Sequence, residues 1–266
     1  MTSKLKIGLF DSGLGGLTIL RENLCLLPDA IFYYKGDQGF HPYGPKSDDE
    51  IIERCFLLTK ELIDLECQII IVACNTATAV AIRDLRLRFP KTTFVGVEPY
   101  LNLLAHYSLK ESDHVGVLVT RGTLESKRFN ELQDWRDPGG QLDVLCLDDL
   151  APFIEKNLGC LRKDIGKLEG ELRKILSPVK DRAWTHIVLG CTHYPLVANE
   201  ISKITGAQCL DPALAVAKRV LTLSGSQLSD ELVDAKLYGE QNHFFYSSTL
   251  NDDAGKWRKK SLSDFY

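Results

Sequence analysis

Two cysteines stand where thiol chemistry could be arranged. Cys74 follows the apolar run Ile69-Ile-Ile-Val-Ala73 and leads into Asn75-Thr76. Cys191 follows Ile187-Val-Leu-Gly190 and leads into Thr192-His193. A buried cysteine at a strand end is usually a small hydrophobe. Here each is followed at once by side chains that bind oxygens, in a turn that opens onto further structure. Backbone N–H groups and the positive end of a helix in such a turn favour a carboxylate or phosphate, and they lower a thiol pKa from about 8.5 toward neutrality. Two thiols at equivalent edges of two related halves would face each other across a cleft. That geometry removes a proton from one face of a carbon and delivers one to the other, with a thiolate and a thiol exchanging roles when the reaction reverses. Asp11 and His193 are the candidates to assist Cys74 and Cys191.

Parallel α/β elements must position these turns. Short apolar runs predict strands at 6–10, 30–34, 68–73, 93–97, 114–119, 143–147, 185–189 and 208–210. Several are continuously apolar, as strands covered on both faces are. Helical periodicity fills the gaps, for example over 48–65, 76–89, 128–135 and 163–176, the last ended by Ser177-Pro178. The pattern is that of an α/β protein with mainly parallel sheets. Open sheets of this kind take ligands at the carboxyl ends of their strands. Four polar turns lie there: Asp11-Ser-Gly-Leu-Gly-Gly16, Cys74-Asn-Thr76, Thr120-Arg-Gly-Thr123 and Cys191-Thr-His193. The first also suggests a dinucleotide loop, but Thr18 occupies the third glycine position and Asp11 would oppose a pyrophosphate.

The segment Ile7–Gly15 echoes Val115–Thr123, and Ile71–Thr76 echoes Val188–Thr192. These echoes predict two pseudo-symmetric doubly wound domains, the first from 1–97 with 212–266 and the second from 98–211. Chance likeness between buried strands is the alternative.

Composition narrows the class. The 266 residues are 44% hydrophobic and 26% charged, which excludes a wholly disordered chain, a collagen-like fibre and a membrane bundle. With 32 Lys+Arg against 36 Asp+Glu the net charge is −4, which argues against a general nucleic-acid binder. Among the eight cysteines there is no Cys-x-x-Cys pair, so a zinc ribbon is not expected. Cys191-x-His193 is at most half a metal site. No signal-peptide core or membrane-length run is evident, and reduced cytoplasmic thiols are expected. Cys25, Cys55, Cys67, Cys146, Cys160 and Cys209 read as packing or partly exposed thiols. His41 reads as a surface or satisfied core histidine, although it adjoins Pro42-Tyr43-Gly44. Lys256-Trp-Arg-Lys-Lys260 reads as a solvated last helix.

Four motifs in order, Ile7-Gly-Leu-Phe-Asp-Ser-Gly-Leu-Gly-Gly-Leu-Thr18, Pro42-Tyr-Gly44, Ala73-Cys-Asn-Thr-Ala77 and Gly190-Cys-Thr-His-Tyr-Pro195, resemble the glutamate racemase family. The resemblance implies a cofactor-independent, metal-free enzyme interconverting L- and D-glutamate, with D-glutamate supplied to peptidoglycan. It also implies two α/β domains with the active site in the cleft between them, and a homodimer. Cys74 corresponds to the base acting on D-glutamate and Cys191 to the base acting on L-glutamate, with Asp11 and His193 supporting them. Asp37 matches another acidic position, and Glu155 a glutamate near the substrate ammonium group. Ser12, Pro42, Tyr43, Gly44, Asn75, Thr76, Thr120, Thr123 and Thr192 match positions that hold the substrate carboxylates. Some members of the family inhibit DNA gyrase, so a gyrase contact is inherited from the resemblance alone.

The chain departs from the family pattern in three places. Gln38-Gly-Phe-His41 replaces the usual Thr-Ala-Arg-Val, the crossing at Gly96-Val-Glu-Pro99 is one residue short, and the segment between Cys146 and Pro152 is one residue long. Aspartate or another amino acid as substrate, a single-cysteine hydrolase and a dicarboxylate-binding protein remain the competing readings.

Overall fold

The computed structural model describes residues 4–98, 110, 112–226, 243–247 and 258–260. In the first half, β1 (Lys6–Asp11), α1 (Leu17–Leu26), β2 (Ile31–Gly36), α2 (Asp48–Asp64), β3 (Ile69–Val72), α3 (Asn75–Arg88) and β4 (Thr93–Gly96) alternate. The second half carries β5 (Val115–Val119), α4 (Arg121–Leu124), α5 (Lys127–Arg136), β6 (Asp143–Cys146) and α6 (Leu150–Lys163). It continues with α7 (Glu169–Ile175), α8 (Ser177–Lys180), β7 (His186–Gly190), α9 (Ala198–Thr205) and β8 (Gln208–Leu210). The chain then forms α10 (Ala213–Ser224), β9 (His243–Ser247) and β10 (Arg258–Lys260).

Two sheets result. The first runs β10-β9-β2-β1-β3-β4 and the second β6-β5-β7-β8. All pairings are parallel except β10 against β9. The expected doubly wound α/β class is therefore what the chain adopts, in two copies.

Strand alternation explains the layers. Ile7 and Leu9 of β1 and Ile69 and Ile71 of β3 point to a core shared with Leu20, Leu24, Val216 and Val220 of α1 and α10. Phe10, Ile70 and Val72 point the other way, onto Cys55, Leu58 and Leu62 of α2 and Ala81 and Leu85 of α3. Gly8 lies beneath Leu62, where an added Cβ would stand 2.9 Å from the leucine Cδ1. In the second sheet Leu118, Ile187 and Leu189 face one layer, and Val117, Val119 and Val188 the other.

Two expectations fail locally. The basic run near the C-terminus places Arg258–Lys260 in an antiparallel strand rather than a helix. The helix expected over 163–176 is broken, because α6 already ends at Lys163 and a 3-10 turn (Ile165–Leu168) intervenes before α7. The expected end before Ser177-Pro178 is met, since α7 stops at Ile175, and the same pair opens α8, where proline's missing N–H costs nothing in a first turn.

Candidate active site

Strand ends from both sheets converge on one cavity of about 300 Å³. From the first half it is lined by Ser12 after β1, His41–Pro45 after β2, and Cys74, Asn75 and Thr76 where β3 meets α3. The second half supplies Thr120 and Arg121 after β5, Asp148, Ala151 and Pro152 at the start of α6, and Cys191, Thr192 and His193 after β7. Both singled-out cysteines therefore stand on the walls of the same cavity.

Cys74 is the N-cap of α3, and its Sγ accepts from the Ala77 N–H at 3.5 Å. Its thiol faces the Ser12 hydroxyl at 3.6 Å. Burial, and then the Asp11 charge, push the thiol up to about 12 despite these two contacts. Without ligand Cys74 is thus a neutral thiol, a proton donor in waiting.

Cys191 Sγ lies 3.8 Å from His193 Nδ1, and His193 Nε2 lies 2.6 Å from Glu155 Oε2. Burial opposes charge on His193. The hydrogen bonds to Cys191 and Glu155, with the carboxylate charge, outweigh it and hold the imidazolium well above its ordinary range. Burial likewise opposes the Glu155 carboxylate, but His193 and the Leu14 N–H bring it down to about 2. The two cysteines consequently sit in unlike electrostatic surroundings, one neutral and one beside a cation. Gly15 must be glycine for this packing, because a Cβ there would stand 2.7 Å from the His193 backbone nitrogen.

The other expected residues divide into wall and support. Ser12, Pro42, Tyr43, Gly44, Asn75, Thr76, Thr120 and Thr192 are on the wall. Thr123 stands behind it, its hydroxyl 3.0 Å from Thr120 and 3.5 Å from Thr76. Asp11 is fully buried; its carboxylate accepts from the Gly16 N–H at 2.8 Å and the Thr192 hydroxyl at 3.5 Å. It acts on Cys74 by charge, with no hydrogen bond between them among the described contacts.

Asp37 does not reach the cavity. The Tyr43 hydroxyl donates to it at 2.8 Å and Arg54 Nε at 2.7 Å, so it anchors the Pro-Tyr-Gly loop from behind. Glu155, expected near a substrate ammonium, also lies off the wall. Its oxygens are taken by His193, by the Leu14 N–H at 3.1 Å and by Gln38 Nε2 at 2.7 Å.

Sequence reading left out six wall residues, of which His41, Arg121 and Asp148 are polar. His41 is neither a surface nor a satisfied core histidine: it lines the cavity and both ring nitrogens are buried without a partner. Its place beside Pro42-Tyr43-Gly44 was the available signal. Arg121 and Asp148 pair at the cavity edge. Arg121 was visible inside the Thr-Arg-Gly-Thr turn, whereas Asp148 had only its place after β6. Among the described residues no group of three or more His, Cys, Asp and Glu is gathered to hold a metal, and no helix is long and apolar enough to cross a membrane.

Comparison with known proteins agrees with this geometry. Residues 32–220 match the Asp/Glu/Hydantoin racemase family model. The chain belongs to the Asp/Glu/hydantoin racemase family. A glutamate racemase of Clostridium novyi (strain NT) is 32% identical to this family member over 266 residues, 98% of each chain. A glutamate racemase isoform from Bacillus anthracis superposes with TM-score 0.75 at 26% identity, covering 100% of this chain and 92% of that one. The Escherichia coli glutamate racemase, solved with L-glutamate and the activator UDP-MurNAc-ala, gives TM-score 0.74 at 30% identity, covering 87% and 86%.

Proposed function

We propose that this racemase-family chain interconverts L- and D-glutamate by two-base proton transfer at Cα, without a cofactor. The observation that carries the reading is Cys74 and Cys191 on the walls of one cavity, one a neutral thiol and the other beside the His193 imidazolium. Starting from L-glutamate, the Cys191 thiolate, paired with His193, takes the Cα proton and becomes a thiol. The electron pair left on Cα spreads into the α-carboxylate, which accepts from backbone N–H groups at the start of α3 and from the hydroxyls of Thr76 and Thr192. The Cys74 thiol then delivers its proton to the opposite face and becomes a thiolate, leaving D-glutamate. The reverse reaction exchanges the roles, and solvent exchange resets the thiols.

Neutral donors suit this task, since they hold carboxylates without cations that would trap the product. The cations nearest the cavity, His193 and Arg121, are paired with Glu155 and Asp148. The same reading places the enzyme in the cytoplasm as a homodimer, making D-glutamate for peptidoglycan.

The test is incubation with L-glutamate in D2O. Appearance of D-glutamate deuterated at Cα is the expected result, and the absence of both deuterium and D-isomer overturns the reading. Parallel rates on glutamate and aspartate decide between those substrates, with glutamate expected to be the faster.

A further inference from the structure

The Pro42-Tyr43-Gly44 part of the cavity wall hangs on a carboxylate that the fold hides completely. Asp37 is fully buried after β2, and the backbone N–H groups of Phe40 and His41 close a turn on its carbonyl at 3.0 and 3.2 Å. Its side chain accepts from the Tyr43 hydroxyl at 2.8 Å. A carboxylate taken out of water also needs a cation, because a lone buried charge is costly. Arg54 supplies it from α2. Its Nε donates to Oδ2 at 2.7 Å and its Nη2 to Oδ1, a two-point grip on both oxygens. The bond to Asp37 raises the guanidinium above its ordinary range, against the opposing pull of burial.

Local structure explains why residue 54 is in reach. Ser47 and Glu50 cap α2 reciprocally just after the loop, and Arg54 lies two turns further on. It adjoins Cys55 and stands one turn from Ile51, both buried in the core that seats the helix on the sheet. Phe40 occupies the same corner. Its ring lies 5.6 Å from Arg54 Cζ, 4.1 Å from Lys46 Nζ and edge-on to the Tyr43 ring at 5.7 Å. Position 40 is where the related motif Thr-Ala-Arg-Val carries its arginine. A long side chain there is within reach of Asp37, whereas an aromatic there offers its face to two cations.

We propose that Arg54 is a positioning residue for the substrate wall, holding from α2 the carboxylate that an arginine at position 40 would otherwise hold, with Phe40 as the exchange that makes room for it. Arg54 touches no ligand: it acts through Asp37 and Tyr43, and the racemase reading enters only through glutamate as the probe. The two arrangements exclude each other, since one carboxylate cannot neutralise guanidinium groups from both positions with Lys46 alongside.

That exclusion is tested by a double-mutant cycle of Phe40→Arg, Arg54→Leu and the two together. Expected in Arg54→Leu is a KM for L-glutamate raised about tenfold with kcat within about threefold, because a buried charge loses its partner while both thiols are untouched. Phe40→Arg alone should raise KM about threefold by crowding cations, yet in the Arg54→Leu background it should bring KM back to within about twofold of wild type. Additive effects, or a double variant that does not fold or is no better than Arg54→Leu, overturn the proposal. If Arg54→Leu itself does not fold, recovery of a folded enzyme with near wild-type KM in the double variant is the same rescue. Arg54→Lys keeps the charge without the planar fork and should raise KM about threefold. A lower Tm with unchanged KM in Arg54→Lys makes the role structural and overturns the proposal, as does no change in either.

Two readouts need no turnover. The rise in Tm caused by glutamate should shrink in Arg54→Leu and return in the double variant. A crystal structure of the double variant should show the introduced guanidinium on both Asp37 oxygens. If wild type fails to racemise glutamate while that pairing is seen, the racemase reading falls and the exchange stands. If wild type racemises glutamate and the introduced guanidinium lies elsewhere, the exchange falls alone.

Discussion

Gln38 Nε2 donates to Glu155 Oε1 at 2.7 Å, tying the turn after β2 to helix α6 of the other half. The same carboxylate takes the Leu14 N–H from the first half and His193 from its own. The first two bonds cross between the halves and the third lies within one. Gln38 is therefore a contact between the halves as well as a brace for the Glu155–His193 pair. Gln38→Leu removes one hydrogen bond to a charged acceptor, worth about 2 kcal/mol. Chemical denaturation should show a loss of that order, and steady-state assays a fall in kcat/KM of about tenfold. A change in neither quantity would remove Gln38 from this role.

The Glu155–His193 pair makes a signed prediction about pH. Glu155 is depressed to about 2, so its contribution to stability is complete above the ordinary carboxylate range and is lost as pH falls toward 2. His193 is raised, so its contribution is complete below the ordinary imidazole range and is lost as pH climbs through its raised value. The pair stabilises most between about pH 4.5 and 6.5, the interval between the two ordinary values. Glu155→Gln keeps the size and removes the charge. It should cost about 3 kcal/mol in that window and flatten both limbs of the stability profile. Urea midpoints measured from pH 3 to 9 check it, and a uniform loss across the whole range would contradict the assignment.

Two acid/bases require two indispensable thiols. Cys74→Ser and Cys191→Ser should each lower racemisation about 10³-fold, because a hydroxyl is a far poorer proton donor and acceptor near neutrality. Since the enantiomers have equal free energy in water, each loss must appear equally in kcat/KM for both directions. Chiral assay of both variants with both substrates measures this. Full activity in either variant would instead match a single nucleophilic cysteine.

What could be read from the sequence was local. Ile69–Ala73 and Ile187–Gly190 announce buried parallel strands because such strands have no polar face, and the Cys-Asn-Thr and Cys-Thr-His turns sit at their ends by adjacency alone. Pairing was not legible. Arg258–Lys260 carries no apolar pattern and is a strand only because it borders β9. Helix α6 was obscured by Pro152, which its first turn tolerates. Asp37 and Glu155 were found by resemblance, but no spacing says that Arg54 and Tyr43 claim the first or that Gln38, Leu14 and His193 claim the second. His41 was passed over because a histidine's lack of partners is a property of three-dimensional packing.

The hydroxyls of Thr76, Thr120 and Thr123 separate binding from support. Thr76 and Thr120 meet at 2.9 Å, one from each half, and both are on the cavity wall. Thr123 is buried behind them and completes the triangle. Thr120→Val removes a hydroxyl that lines the cavity and meets Thr76, so it should raise KM for glutamate several-fold as well as lower stability. Thr123→Val deletes only the rear partner. It should cost about 1 kcal/mol, the usual net worth of one neutral hydrogen bond, and leave KM within about twofold. Melting curves and Michaelis constants for the two variants provide the comparison. An effect on KM in Thr123→Val as large as in Thr120→Val would mean that the rear hydroxyl sets the wall's geometry, and the division drawn here between wall and support would fail.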